Sequence, residues 1–127
     1  MRTVDVCLTH QDFENYDHKG KIVVVIDVLR ATSTINTLLF LGADHVRPIG
    51  SLEECRSLKD QDYIIMAERL GKKVDGFDYG NSPTKLSEKD IREKKVAIAT
   101  SNGSKAIIKS EGSEETILCS FLNINSV

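Results

Sequence analysis

The stretch KIVVVIDV at residues 21–28 constrains the fold more than any other part of this 127-residue chain. A strand of this composition is apolar on both faces, which is typical of a central strand covered by helices on each side of a sheet. The apolar run ends at Asp27, and Arg30 follows three positions later. Such runs usually end in a turn residue, so a carboxylate followed by a guanidinium indicates a polar site at the mouth of this strand.

Strand-like and helix-like segments alternate along the rest of the chain. The pattern predicts further strands at 3–9, 45–50, 62–68, 95–101 and 116–121, and helices at 32–43, 51–58, 87–94 and 102–112. Ser51 and Glu54 form a capping-box pattern, and Gly42 is placed to end the first helix. The alternation favours a single α/β domain over residues 1–127, with a three-layer α/β/α architecture and a mostly parallel or mixed sheet.

Composition excludes several classes of partner. The net charge is −2, from 17 basic and 19 acidic residues, so we expect no nucleic acid and no anionic membrane as partner. No apolar run approaches membrane-spanning length, and the N-terminal stretch lacks a secretory core. The three cysteines have no CxxC spacing and are expected to be small buried residues. Together these features predict a cytoplasmic protein.

Polar side chains follow four of the predicted strands at the point where each strand ends. In open α/β sheets, ligands bind beyond the carboxyl ends of the strands, where loops lead into helix N-termini. The residues delivered to this edge are Asp27, Arg30, Thr32, Ser33, Glu68, Arg69, Thr100, Ser101, Asn102, Gly103, Ser104, Lys105, Ser120 and Asn123. The irregular segment 67–83 is long enough to fold over the strand ends and to bring Asp78 and Asn81 to the same site.

This edge predicts a site for Mg²⁺ and a phosphate ester. Carboxylates from Asp27, Glu68 and Asp78 are the ligands that a hard divalent cation prefers. Basic groups and helix-start N–H groups, at 33–34 and 103–104, suit phosphate oxygens. We expect Asp27, Arg30, Glu68 and Asn102 to be catalytic. The expected phosphate-binding residues are Arg30, Thr32, Ser33, Arg69, Asn81, Gly103, Ser104 and Lys105.

Each of these features also has a purely structural interpretation. Asp27 could merely cap the next helix or pair with Arg30, since one acid at a strand end is common in α/β proteins. The Glu68–Arg69 pair is typical of a solvated surface, and Asp78 of a turn. The stretch TSNGS at 100–104 is typical of any strand–turn–helix cap. Their shared position on one sheet edge is what favours a site.

Known phosphate-binding motifs do not explain this edge. The sequence contains neither the GxxxxGK[ST] loop nor GxGxxG. A haloacid-dehalogenase-type phosphatase places a second aspartate two residues after the first, and here that position is Leu29.

Four blocks resemble the 2-phosphosulfolactate phosphatase family. VVVIDVLRATSTI resembles the family's VIDVLRATTTI, and AERLGKKVDGFDYGNSP resembles GERGGxKxxGFDLGNSP. ATSNGSKAI is similar to TTTNGTRAL, and CSFLNINSV to GSFLNAxAV. The departures are Ala67 in place of glycine and Ser104–Lys105 in place of Thr–Arg. The matched polar residues are Asp27, Arg30, Thr32, Thr34, Glu68, Arg69, Asp78, Asn81, Ser82, Asn102 and Gly103.

The resemblance implies a Mg²⁺-dependent phosphomonoesterase that hydrolyses 2-phosphosulfolactate to sulfolactate and phosphate, a step of coenzyme M biosynthesis. Family members are about twice as long, so the match covers their N-terminal half. A sheet face left open by such a half would favour a homo-oligomer. Two alternatives remain: a phosphatase of this family acting on another small phosphorylated acid, and a non-catalytic domain that binds a phosphorylated ligand.

Overall fold

The computed structural model describes residues 2–127 and confirms an α/β fold. Its strands are β1 (Ile22–Ile26), β2 (His45–Pro48), β3 (Tyr63–Arg69), β4 (Lys72–Lys73), β5 (Lys95–Ala99) and β6 (Glu115–Cys119). Its α-helices are α1 (Ala31–Phe40), α2 (Leu52–Ser57), α3 (Glu88–Ile91) and α4 (Gly103–Lys109). Short 3-10 helices occupy Asp12–Asn15, Leu58–Gln61 and Pro83–Lys85.

The strands form two sheets. The larger sheet has the order β2-β5-β3-β4, in which β2, β5 and β3 are parallel and β4 is antiparallel to β3. The smaller sheet is the parallel pair β1-β6, with Asp27 directly after β1 and Ser120 directly after β6. The mixed character agrees with the prediction, whereas the division into two sheets does not follow from the pattern.

Two apolar clusters cover opposite faces of the larger sheet. Ile65 of β3 and Ala97 of β5 pack with Cys55 of α2. Their chain neighbours Met66 and Ile98 point the other way and join a cluster that contains α1 residues. Because successive side chains of a strand alternate between faces, one apolar strand serves both clusters. The larger sheet therefore lies between helices, as the three-layer prediction requires.

The prediction that the 21–28 strand is central and covered on both faces is wrong. Val25 is only 8% exposed, but Ile22, Val24 and Ile26 are 60%, 43% and 66% exposed. β1 has β6 as its only paired strand in the described chain, and its inward face lies beside α4. A run of β-branched residues fits both a covered strand and a half-covered one, because it carries no polar residue to mark the open face.

The predicted strand at 3–9 is also wrong. These residues have no strand structure, and Val4, Val6 and Leu8 are highly exposed. The segment is held by local contacts instead, including a hydrogen bond of 3.2 Å from the Tyr16 hydroxyl to the Val6 carbonyl. Alternation alone does not make a strand, because a strand needs a partner edge to satisfy its backbone groups.

Helix boundaries follow the sequence signals closely. The Ser51 side chain accepts the Glu54 N–H at 3.2 Å, which confirms the capping box at the start of α2. Gly42 adopts a φ of +87°, as expected of a residue that ends a helix in the left-handed region.

The segment 69–86 contains a hairpin that the sequence did not predict. Leu70 and Gly71, with φ of +52° and +76°, form the two-residue turn between β3 and β4.

The three cysteines are free, as expected from their spacing. Cys55 and Cys119 are buried, and Cys7 is half-buried. Burial raises the pKa of the Cys55 thiol to about 11. Within residues 2–127, no helix has the length and apolar character needed to cross a membrane.

Candidate active site

Asp27 is held where two helices begin. Its carboxylate is half-buried, and the backbone N–H groups of Arg30 and Ala31, at the start of α1, and of Gly103, at the start of α4, favour its charged form. A side chain at position 103 would not fit, because an added Cβ would lie 2.7 Å from Asp27 Oδ2 and 2.3 Å from the Ala31 Cβ. The requirement for glycine at position 103 therefore follows from the packing of two helix starts around one carboxylate.

Asp27 lies near enough to Glu68, near the end of β3, for the two negative charges to interact. Burial is the main cause that raises the pKa of Asp27, and the negative charge of Glu68 raises it further against the three N–H groups. Glu68 is itself positioned by the β3–β4 turn, because its Oε1 accepts the Gly71 N–H at 2.9 Å. The structure thus brings together two of the predicted acids, one from each sheet.

Arg30 connects this acid pair to a pocket. Its Nη2 donates a hydrogen bond of 3.1 Å to the Gly71 carbonyl, so Arg30 and Glu68 hold the same glycine by its C=O and its N–H. Arg30 and Gly71 also line a pocket of about 300 Å³ that extends to the loop at 78–85. Predicted site residue Asn81 lies in the wall of this pocket.

Asp78 does not join the acid pair. Its Oδ1 forms an ion pair of 2.9 Å with Lys59 Nζ, and its Oδ2 accepts the Ile65 N–H at 3.0 Å. Ile65 lies near the start of β3, whereas Glu68 lies near its end, so the two acids serve different parts of that strand. Throughout the described residues, no three His, Cys, Asp or Glu side chains group in a way that could hold a metal ion. In this structure Asp78 anchors its loop, which favours a cation site formed by Asp27 and Glu68 without Asp78.

Three hydroxyl groups that were predicted to bind phosphate instead donate hydrogen bonds to backbone carbonyls of the fold. Thr32 is fully buried and donates to the Cys119 carbonyl at 2.7 Å, which ties α1 to β6. Ser104 is fully buried and donates to the Ile98 carbonyl at 3.0 Å. Ser33 donates its only hydroxyl proton to the Val28 carbonyl at 2.7 Å. The prediction that these side chains bind phosphate is contradicted, because none has a free donor.

Most of the helix-start N–H groups are also occupied. The Thr34 N–H bonds to the Arg30 carbonyl at 2.9 Å, and the Ser104 N–H bonds to the Thr100 hydroxyl at 2.9 Å. The Gly103 N–H faces Asp27. These groups therefore do not form an open cradle for phosphate, and neither α1 nor α4 begins with a side-chain cap bond.

The remaining predicted residues fall into two groups. Asn102 begins α4 without a side-chain cap bond and is exposed, as is Lys105, so both are available beside the Gly103 contact. Arg69 turns back and donates to the Glu68 carbonyl at 2.7 Å. At the end of β6, Ser120 and Asn123 are tied to Asn36 by hydrogen bonds of 3.1 and 3.0 Å, which makes them structural.

A divalent cation fits the Asp27–Glu68 pair. Two carboxylates close enough for one to raise the pKa of the other repel, and a cation between them relieves that repulsion. Mg²⁺ is commonly held by one or two carboxylates, with water and substrate phosphate completing its shell.

Sequence reasoning missed two basic residues of the pocket, Lys73 and Lys85. Lys73 lies on β4, whose hairpin was not predicted, and Lys85 lies on the 3-10 helix after Asn81. No local signal distinguishes them from solvated lysines. Their importance arises only from the way the hairpin and the loop enclose one space with Arg30.

Comparison with known proteins places this arrangement in a family. The family model described as 2-phosphosulpholactate phosphatase matches residues 7–127. The chain is 41% identical over 123 residues to a probable 2-phosphosulfolactate phosphatase of Caldanaerobacter subterraneus subsp. tengcongensis, covering 94% of the chain and 51% of that relative. It is 37% identical to one of Clostridium perfringens, covering 98% and 53%. It is 44% identical to one of Thermotoga maritima, covering 84% and 47%.

The fold and site define an α/β protein with a carboxylate pair beside a basic pocket. The match over nearly the whole chain is more specific: the chain belongs to the 2-phosphosulfolactate phosphatase family. It spans about half the length of the curated relatives it matches. This confirms the resemblance carried by the four blocks.

Proposed function

We propose that this chain carries the cation-binding and phosphate-binding residues of a Mg²⁺-dependent phosphomonoesterase, which hydrolyses 2-phosphosulfolactate to sulfolactate and phosphate. The observation that carries the proposal is the approach of Asp27 to Glu68 beside Arg30, which lines the pocket. The names of the relatives supply the substrate, since each is called a probable 2-phosphosulfolactate phosphatase.

Asp27 and Glu68 are the residues that would hold Mg²⁺. When bound, the cation supplies positive charge to the phosphoryl oxygens. The Gly71 N–H holds Glu68 in place, and N–H groups from the starts of two helices favour the charged form of Asp27. Such preorganisation spares the site from rearranging during the reaction, which is the main way that protein charges accelerate phosphoryl transfer.

Arg30 is the residue proposed to bind the phosphoryl group. Its guanidinium has five N–H donors, and one of them is used by the Gly71 carbonyl. The others are free to bind two phosphate oxygens in a planar fork. As water attacks the phosphorus in line with the departing alkoxide, Arg30 neutralises charge on the equatorial oxygens. Asn102 and Lys105 lie at the start of α4, next to Gly103, and are proposed to complete this side of the site.

A phosphate-release assay tests this proposal. The chain is incubated with 2-phosphosulfolactate and Mg²⁺, then with EDTA, and then with Mg²⁺ restored. We expect release that EDTA abolishes and Mg²⁺ restores. Asp27→Asn and Glu68→Gln should lower the rate by about a hundredfold or more. Glu53→Gln, at an exposed position on α2, is the matched control and should leave the rate unchanged.

The same assay separates the alternatives. Release from other phosphorylated acids at an equal or higher rate would favour a different substrate within this family. The absence of release from every ester, with retained binding of the ester, would contradict catalysis and favour a phospho-ligand-binding domain.

A further inference from the structure

The basic pocket has a charge opposite to that of the whole chain. Three cations, Arg30, Lys73 and Lys85, line it, although the chain carries a net charge of −2. They come from three different elements: the start of α1, β4 and the 3-10 helix Pro83–Lys85. At about 300 Å³, the space is at the lower end of pockets that take small molecules.

Among the residues that line this pocket, positive charge exceeds negative charge. Its one acidic wall residue, Asp78, is already paired with Lys59 at 2.9 Å. Lys73 donates one hydrogen bond of 3.0 Å to the Phe77 carbonyl, which uses a donor but leaves the charge. Lys85 is exposed, and its ammonium group forms no hydrogen bond or ion pair with any described residue, although its backbone N–H donates to the Ser82 carbonyl at 3.2 Å. An anion is therefore the natural occupant.

Asn81 gives an independent sign of a missing partner. Its side chain lines the pocket yet is only 3% exposed, and its Oδ1 has no hydrogen-bond partner within the described part of the chain. Buried polar groups in folded proteins are nearly always hydrogen-bonded, so an orphan of this kind calls for a ligand or water. Because Oδ1 accepts hydrogen bonds, its partner must be a donor, such as a hydroxyl of the ligand or a water molecule. Asn81 therefore marks a polar site but does not itself select an anion.

The number of cations exceeds what one phosphate group needs. Arg30 is assigned to the phosphoryl group under the proposed function, which leaves Lys73 and Lys85 unassigned. 2-Phosphosulfolactate carries a carboxylate on the carbon that bears the ester oxygen and a sulfonate one carbon further away. The sulfonate is thus the anion best able to reach a cation on a different element from Arg30.

We propose that Lys85, supported by Lys73, binds the sulfonate of the substrate and so makes the site select phosphate esters that carry a second strong anion. This inference rests on the proposed function, because it takes the phosphate end of the ligand to lie at Arg30. Lys85 is a specificity-determining residue in this arrangement, and it takes no part in cleaving the ester bond.

Two esters that differ only at the sulfonate test the assignment. 2-Phospholactate has a methyl group where 2-phosphosulfolactate has a sulfomethyl group. Lys85→Gln should lower kcat/KM for 2-phosphosulfolactate about tenfold or more, as expected for loss of a hydrogen bond between charged groups, and change that for 2-phospholactate less than twofold. Lys89→Gln, an exposed lysine on α3 outside this pocket, should alter neither value. An equal loss for both esters, or no loss for either, would overturn the assignment.

Binding of the product 3-sulfolactate, titrated by nuclear magnetic resonance, gives a readout that does not depend on turnover. We expect Lys85→Gln to weaken this binding about tenfold or more relative to wild type and to Lys89→Gln. Equal affinity, or no binding to the wild-type chain, would refute the sulfonate site. A wild-type chain that binds sulfolactate through Lys85 but releases no phosphate would refute the proposed catalysis alone.

Discussion

The Nη2 atom of Arg30 donates a hydrogen bond of 3.1 Å to the carbonyl oxygen of Gly71, 41 residues further along the chain. Glu68 accepts the N–H of the same glycine. The β3–β4 turn therefore fixes the guanidinium of Arg30 and the carboxylate of Glu68 relative to each other. Asp27 lies three residues before Arg30 in the sequence. This relationship makes the turn a structural part of the candidate site.

Arg30→Lys is expected to reduce phosphate release about tenfold or more while leaving the fold intact. An ammonium group keeps the charge but cannot bind two phosphate oxygens in a planar fork. The reduction should be measured as kcat/KM, with unfolding by urea as the test of stability. Arg47→Lys, on the exposed side of β2, is the matched control. Full activity of Arg30→Lys would remove the bidentate role.

Gly103→Ala is expected to lower the free energy of unfolding by about 1–3 kcal/mol, because overpacking forces neighbouring groups to shift. The new Cβ would lie 2.3 Å from the Ala31 Cβ and 2.7 Å from Asp27 Oδ2, so the carboxylate should also be displaced and phosphate release reduced. Gly50→Ala is the control, since its nearest contact would be the Ile108 Cδ1 at 3.7 Å. Equal stability of the two variants would argue against this packing.

Asp27 should make the chain less stable as pH rises through the mildly acidic range. Burial, together with the charge of Glu68, raises the pKa of Asp27 in the folded state. Between the unfolded pKa of about 3.9 and the higher folded value, the folded chain keeps a proton that the unfolded chain releases. The free energy of unfolding therefore falls with rising pH across that interval and is not regained above it.

Asp27→Asn removes this contribution. Without Mg²⁺, urea unfolding from about pH 3 to about pH 7 should show the variant gaining stability relative to wild type across the same interval. Asp60→Asn, which removes an exposed carboxylate from Leu58–Gln61, is the control and should show no such gain. A difference that is independent of pH, or that shrinks as pH rises, would contradict the raised pKa.

Asp78→Asn is expected to affect stability and not chemistry. It removes the ion pair between Asp78 and Lys59, whose side chains are 31% and 53% exposed, respectively. The free energy of unfolding should therefore fall by about 1 kcal/mol or less. Asparagine still accepts the Ile65 N–H through its Oδ1, which should keep the loop in place. Phosphate release should change less than twofold. A loss as large as that of Glu68→Gln would return Asp78 to the metal site.

Local signals predicted the elements well where their effect is local. The Ser51 cap of α2, the Gly42 stop of α1 and the alternation of Ile65 with Met66 all follow from neighbours in sequence. Asp27 was predicted as a site residue because it follows an apolar strand, at the sheet edge where α/β proteins bind ligands.

The rest depended on distant neighbours. The Thr32 hydroxyl donates to the carbonyl of Cys119, which is 87 residues away in the sequence, and no pattern around Thr32 indicates that contact. The open face of β1 could not be predicted because its β-branched residues would suit a covered strand equally. The contribution of Lys73 depends on a hairpin whose turn contains a leucine with positive φ, a residue that rarely marks such a turn.

Binding of Mn²⁺, used as a paramagnetic substitute for Mg²⁺ and followed by electron paramagnetic resonance, tests the acid pair most directly, because both metals prefer carboxylate ligands and the signal does not depend on turnover. We expect the wild-type chain to bind one Mn²⁺ ion. Asp27→Asn and Glu68→Gln should each weaken that binding at least about tenfold. The surface variant Glu53→Gln should bind Mn²⁺ as the wild type does. Equal Mn²⁺ affinity in wild type and both acid-pair variants would contradict the assignment of Asp27 and Glu68 as the cation site.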